Sequence, residues 1–146
     1  ITEKNLHIDV SPDQGYDANG TYEIRAVDTA DNESSNGPND SFDVEYKEPE
    51  ISELEIDCSR DEGFCVSGGN DYPVNFSVTN AISCTATVEK ISGTGTPGSV
   101  SSVTLNGTSG SFTYTTGSTA FDVIRITVEC IGAKETKSSY IDKTLD

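Results

Sequence analysis

The chain has no tryptophan and no methionine, a single histidine, and nine lysines and arginines against 25 aspartates and glutamates. Each shortage excludes something. A formal net charge of -16 over 146 residues repels a phosphate backbone, so nucleic acid is not an expected partner. An anionic membrane surface is excluded on the same ground. No apolar run approaches the ~20 residues that a bilayer-spanning helix needs, and membrane insertion is not expected. A signal-peptide hydrophobic segment is also missing, and the chain opens on Ile1. The expectation is a processed or excised piece whose targeting segment lies elsewhere. The lone histidine, His7, falls on the outward side of a strand pattern beside Asp9, and no Gly-x-Ser-x-Gly turn occurs. A nucleophilic triad therefore lacks its parts. The carboxylates, though numerous, follow no pairing pattern that would indicate a glycosidase. No enzyme is expected.

What the sequence has in place of these is period-two alternation, the signature of strands with one buried face. In the first 48 residues, helix-period apolar spacing is absent and three short strands are expected. Leu6, Ile8 and Val10 face inward on the first, Tyr22, Ile24 and Ala26 on the second, and Phe42, Val44 and Tyr46 on the third. Turn residues Ser11 to Gly15 and a polar loop, Asp28 to Asp40, separate them. Three such strands cannot bury a competent core alone. From residue 50 on, seven short strands are expected. Their inward rows include Leu54, Ile56 and Cys58, then Val74, Phe76 and Val78, then Ile82, Cys84, Ala86 and Val88. Val103 with Leu105, and Phe112 with Tyr114, follow around the turn Asn106–Gly110. Ile124, Ile126, Val128 and Cys130 line the next, and Lys137 to Thr144 closes the sheet. Short strands with turns between them indicate an all-β fold, a β-sandwich.

Four cysteines in such a chain point to disulfides and an oxidising compartment rather than to zinc, whose sites favour closely spaced cysteine and histidine ligands. Cys84 and Cys130 are each delivered by a strand to the same interior, which favours bonding them to each other and leaves Cys58 with Cys65. Four cysteines permit three pairings, and the other two stay open at this point.

Two stretches carry a family resemblance. Asp17–Ser34, with Gly20-Thr21-Tyr22, Ala26-Val27-Asp28, Ala30 and Asn32, resembles the last third of bacterial immunoglobulin-like (Big/PKD-like) repeats, with Asp31 where those repeats usually carry glycine. The Asp17…Gly20-x-Tyr22 spacing also resembles a tyrosine corner. Val78–Ala86 and Ile124–Gly132 resemble the early and late cysteine motifs of such repeats in secreted bacterial proteins. There the two cysteines bridge, which again implies Cys84 with Cys130. The resemblance implies immunoglobulin-like modules in tandem. Residues 1–48 would be the C-terminal strands of an incomplete module and 49–146 a complete one, with Glu48-Pro49-Glu50 as a short stiff linker. The missing strands would come from upstream modules of the same protein or from a neighbouring copy by strand addition.

Candidate binding residues are few. Asp28, Asp31, Asn32 and Glu33 form the densest oxygen-ligand group and are the candidate calcium site, with Glu48 or Glu50 in reach, but the spacing is not that of an EF-hand and a solvated acidic loop is the favoured reading. Calcium is the one cofactor considered. Asn19, Asn32, Asn39 and Asn106 begin glycosylation sequons in loops, while Asn75 begins one inside a strand. Lys4 or Lys47 could form an isopeptide bond, but no motif supports one. The expected function is a non-enzymatic extracellular structural module, a rigid spacer or a subunit of a cell-surface filament. The alternatives are a carbohydrate- or receptor-binding adhesin module and a phage or virus decoration protein. Dispersed tyrosines and the missing tryptophan weigh against the first of these alternatives.

Overall fold

The computed structural model describes Pro12, Gly15 and residues 19–24 and 40–146. It falls into two compact units, residues 1–47 and 48–146. The expected strand around Leu6, Ile8 and Val10 lies outside the described residues. In the first unit, β1 (Gly20–Ile24) and β2 (Asp40–Val44) pair antiparallel, with Tyr22 opposite Phe42. Those two rings stack with centroids 5.6 Å apart, the cross-strand pairing that aromatic residues favour. Val44 is buried, and β2 ends there, two residues short of Tyr46. Across the same ladder, the Thr21 hydroxyl donates to Asp43 at 2.5 Å.

The second unit contains eight strands where the alternation indicated seven. They are β3 (Glu50–Ile56), β4 (Asp71–Thr79), β5 (Ser83–Ser92), β6 (Gly98–Val100), β7 (Thr104–Asn106), β8 (Ser109–Thr116), β9 (Val123–Ile131) and β10 (Thr136–Thr144). One sheet runs β3-β4-β8-β6, with β7 also on β8; the other runs β10-β9-β5. Every pairing is antiparallel. The inward rows Val74, Phe76, Val78, Phe112 and Tyr114 from one sheet, and Ile124, Ile126 and Val128 from the other, form a single buried cluster. This is sandwich packing, driven by removal of apolar area from water at about 25 cal/mol per Å².

Three local details depart from a plain alternation. In β3 the register slips between Ser52 and Glu55, where Glu53 takes the left-handed φ of 54°. That bulge inserts one residue, so the inward row passes from Ile51 to Leu54 and Ile56. Without it, Glu53 and Glu55 would face the core. Glu48, Pro49 and Glu50 do not form a free linker. Pro49 is buried and Glu50 opens β3. A Cβ on Gly132 would lie 2.9 Å from the Pro49 ring, so the glycine makes room for it. Ile82, expected on the inward face with Cys84, precedes β5 and is 70% exposed.

The unit has two ends. The proximal end carries Glu48, the 80–82 turn and the 132–135 turn. The distal end carries the 57–70 loop, the 92–97 loop, the 117–122 turn and the last two residues. The tail closes the distal end. Leu145 is fully buried, and its N–H donates to Asp122 O at 2.9 Å while its carbonyl accepts from Phe121 N at 2.7 Å. Asp146 N donates to Cys65 O at 2.9 Å and Asp146 O accepts from Ser67 N at 2.6 Å. Leu145→Ala is expected to cost about 2–5 kcal/mol. Thr144→Ala, at an exposed neighbour, should stay within about 0.5 kcal/mol. Urea unfolding of the two variants tests this; equal midpoints would show that the tail does not close the core.

Candidate functional site

The distal end gathers a set of fixed polar groups. Cys58 and Cys65 are bonded, with Cα atoms 5.2 Å apart, and both are buried. Between them a 3-10 turn, Ser59–Asp61, is closed by hydrogen bonds from Asp61 N and Gly63 N to Cys58 O. The Tyr72 hydroxyl reaches into this loop. It donates to Asp61 Oδ2 at 2.5 Å and accepts from Val66 N at 2.9 Å. Arg60 lies 4.7 Å from the Tyr72 ring centroid and donates through Nε to Asp61 at 3.2 Å. The Tyr72 hydroxyl, more than Arg60, holds the Asp61 carboxyl below its ordinary range. Asp57 is likewise lowered, by hydrogen bonds from the Ser59 side chain and backbone.

These groups and the start of β4 enclose a hollow of about 380 Å³ lined by Asp57, Ser59, Arg60, Asp71, Pro73 and Thr113. It offers carboxylates, hydroxyls and one guanidinium, all of them hydrogen-bonding groups. All four cysteines are in bonds, so no thiolate is present. Among the described residues, no group of three or more His, Cys, Asp or Glu could hold a metal ion.

Two further ties fix this end, and alternation gave no sign of either. Asp122 is buried, and its carboxylate accepts from Thr94 N at 3.1 Å and from Gly95 N at 2.7 Å, pinning the 92–97 loop. Thr116 is buried as well; its hydroxyl accepts from Asn70 N and donates to Val66 O. In sequence Asp122 reads only as a polar residue at a strand start. Its partners lie 27 and 28 residues away, and nothing local marks them.

Cys84 and Cys130 are bonded, with Cα atoms 4.1 Å apart. They sit directly opposite one another on β5 and β9, neighbours in one sheet. The bond therefore lies within a sheet and does not join the two layers. Asp28, Asp31, Asn32 and Glu33, the candidate calcium group, lie outside the described residues, as do Lys4, His7 and Asn39. Glu48 instead pairs with Lys137 at 3.1 Å. A hydrogen bond with Glu135 is the largest influence holding Glu48 low, and the same bond pushes Glu135 up. Asn19 is exposed and accepts from Tyr46 N at 2.7 Å. Asn106 is exposed beside a two-residue turn in which Gly107 takes φ 63°. Asn75 faces outward on β4.

Two expected outcomes follow from these ties. Asp122→Ala leaves two backbone amides without their acceptor and should lower stability by about 1–3 kcal/mol in urea unfolding; no change would show that water replaces the carboxylate. Tyr114 is fully buried and donates to Pro97 O at 2.7 Å. Burial pushes its pKa from 10.0 up to about 12, partly offset by the Gly117 backbone. The folded value lies above the unfolded one, so this contribution is complete below pH 10 and is lost as pH rises through about 12. Tyrosinate absorbance should show one late-titrating tyrosine that disappears in Tyr114→Phe.

Set beside known proteins, the chain matches no family model, no curated protein and no solved structure.

Proposed function

We propose that the chain is a non-enzymatic structural piece of an extracellular protein, built from immunoglobulin-like modules and serving as a rigid spacer or filament subunit. The observation that carries this reading is the strand order of the second unit. A constant-type immunoglobulin sandwich sets its first, second, fifth and fourth strands in one sheet and its third, sixth and seventh in the other. Here β3, β4 and β8 hold the first, second and fifth places, and β6 with β7 shares the fourth. β5, β9 and β10 hold the remaining three. The disulfide pairs agree with an oxidising, extracellular setting. The acidic surface, with its formal net charge of -16, keeps such a protein dispersed.

On this reading the first unit, residues 1–47, is a partial module. Its completion by an upstream module or by a strand from a neighbouring copy makes the chain part of a continuous assembly. Imaging of the native assembly tests this. A regular filament or a linear array of modules is the expected result, and an isolated monomer would sink it. The distal hollow lined by Asp57, Arg60, Asp71 and Thr113 favours a second reading, a module that binds carbohydrate or a receptor. A glycan array separates the two, because a spacer gives no hits. The calcium site at Asp28, Asp31, Asn32 and Glu33 is proposed from the sequence alone. Calorimetric titration with millimolar calcium should then give heat and a raised melting temperature; neither would appear if the loop is merely a solvated acidic segment.

A further inference from the structure

The position of the Cys84–Cys130 bond decides how much of the second unit a pulling force can reach. Cys84 is the second residue of β5 and Cys130 the next-to-last of β9, directly opposite one another near the proximal end. The chain enters β5 and leaves β9 at this end. Everything between, namely β5 to β9, forms a covalent loop closed at its doorway. Tension along the chain passes from β4 through Cys84, across the bond to Cys130, and on to β10. The ladder between β5 and β9 carries none of it. Only β3, β4 and β10 with its tail lie outside the loop.

Those outer segments are attached both to the closed loop and to one another. Glu48 is held at the proximal end by Asn80 Nδ2 on its carbonyl at 3.2 Å and by Lys137 on its carboxylate. β3 pairs only with β4, and β10 only with β9. The tail is held at the distal end by the four backbone bonds of Leu145 and Asp146.

We propose that the Cys84–Cys130 bond is an extension limiter: under tension the second unit gives up β3, β4 and β10, while residues 84–130 are withheld as a closed loop on which the outer strands re-form. The proposal rests on the reading of the protein as a tension-carrying spacer. The bond withholds 46 residue steps, about 160 Å at ~3.5 Å per residue. The Cys58–Cys65 bond withholds a further 7, about 25 Å on the same scale.

The test is a force clamp on the full 146-residue chain held at its two termini. Without reductant, the second unit should lengthen once and stop. A dithiol added at that point reduces the bond, closing to its own cyclic disulfide as Cys84 and Cys130 become thiols. A second gain of about 160 Å is expected, with about 25 Å more as the same dithiol reduces Cys58–Cys65. Chains relaxed after the first gain alone should refold at least about tenfold faster than chains relaxed after the second, because the bond already holds the two ends of the β5-to-β9 segment together. Full extension without dithiol, or no second gain with it, would overturn the limiter. Equal refolding rates would overturn the closed loop as the base on which the outer strands re-form. These results are separate from imaging of the native assembly, which decides whether the spacer reading itself stands.

Discussion

Burial of one apolar row from each strand between two sheets is the interaction on which the second unit depends. The rows are short. With hydrophobic residues at 33% of the chain and no tryptophan, the core is assembled from three valines, two isoleucines, one leucine, two phenylalanines, two tyrosines and the four cysteines. The tyrosines then serve twice. Their rings fill the interior, and their hydroxyls reach the distal end to hold Asp61, Val66 and Pro97. A phenylalanine in either place would fill the same space and leave the loop untied. Where apolar area is limited, hydrogen bonds made at the rim of the core decide whether the loops follow the strands.

The distal end shows how this works in sequence-distant pieces. Asp122 holds the 92–97 loop, Thr116 holds the turn before β4, and Leu145 inserts from the tail between the 65–67 segment and residues 121–122. Each is a buried group whose partners come from another part of the chain. Together with the Cys58–Cys65 bond they tie the segments of this end to one another, and the polar hollow beside Arg60 lies at the same end. The proximal end is held differently, by Pro49 against Gly132 and by the Glu48–Lys137 pair. The pair is solvent-exposed, and such contacts contribute little to stability.

The two disulfides divide the labour. Cys58–Cys65 closes a loop of a few residues and shapes a surface. Cys84–Cys130 spans 46 residues and, by unfolded-state entropy, contributes about 4 kcal/mol. Because its two strands are already paired, its mechanical meaning differs from that of a bond joining the layers. It seals a segment and leaves the attachment of one sheet to the other to packing.

By itself the sequence determined most strands of the second unit and much of its core, because a period of two is a local property. The rows through Val74, Phe112 and Ile124 could be read without knowing any partner. It also determined that Cys84 and Cys130 enter one interior. Whether two such strands face each other across the core or lie side by side depends on strand order, which alternation does not encode; only the tertiary structure decided that they are neighbours in one sheet. The bulge at Glu53 was likewise hidden, since a one-residue insertion changes which face a side chain takes without changing composition. Ile82 followed the same rule in reverse: it keeps the right parity but lies before the ladder begins, so nothing buries it. The distal ties were illegible for the simplest reason. Asp122, Thr116 and Leu145 have no local pattern, and the chemistry of each exists only once residues far apart in the chain are brought within hydrogen-bonding or packing distance.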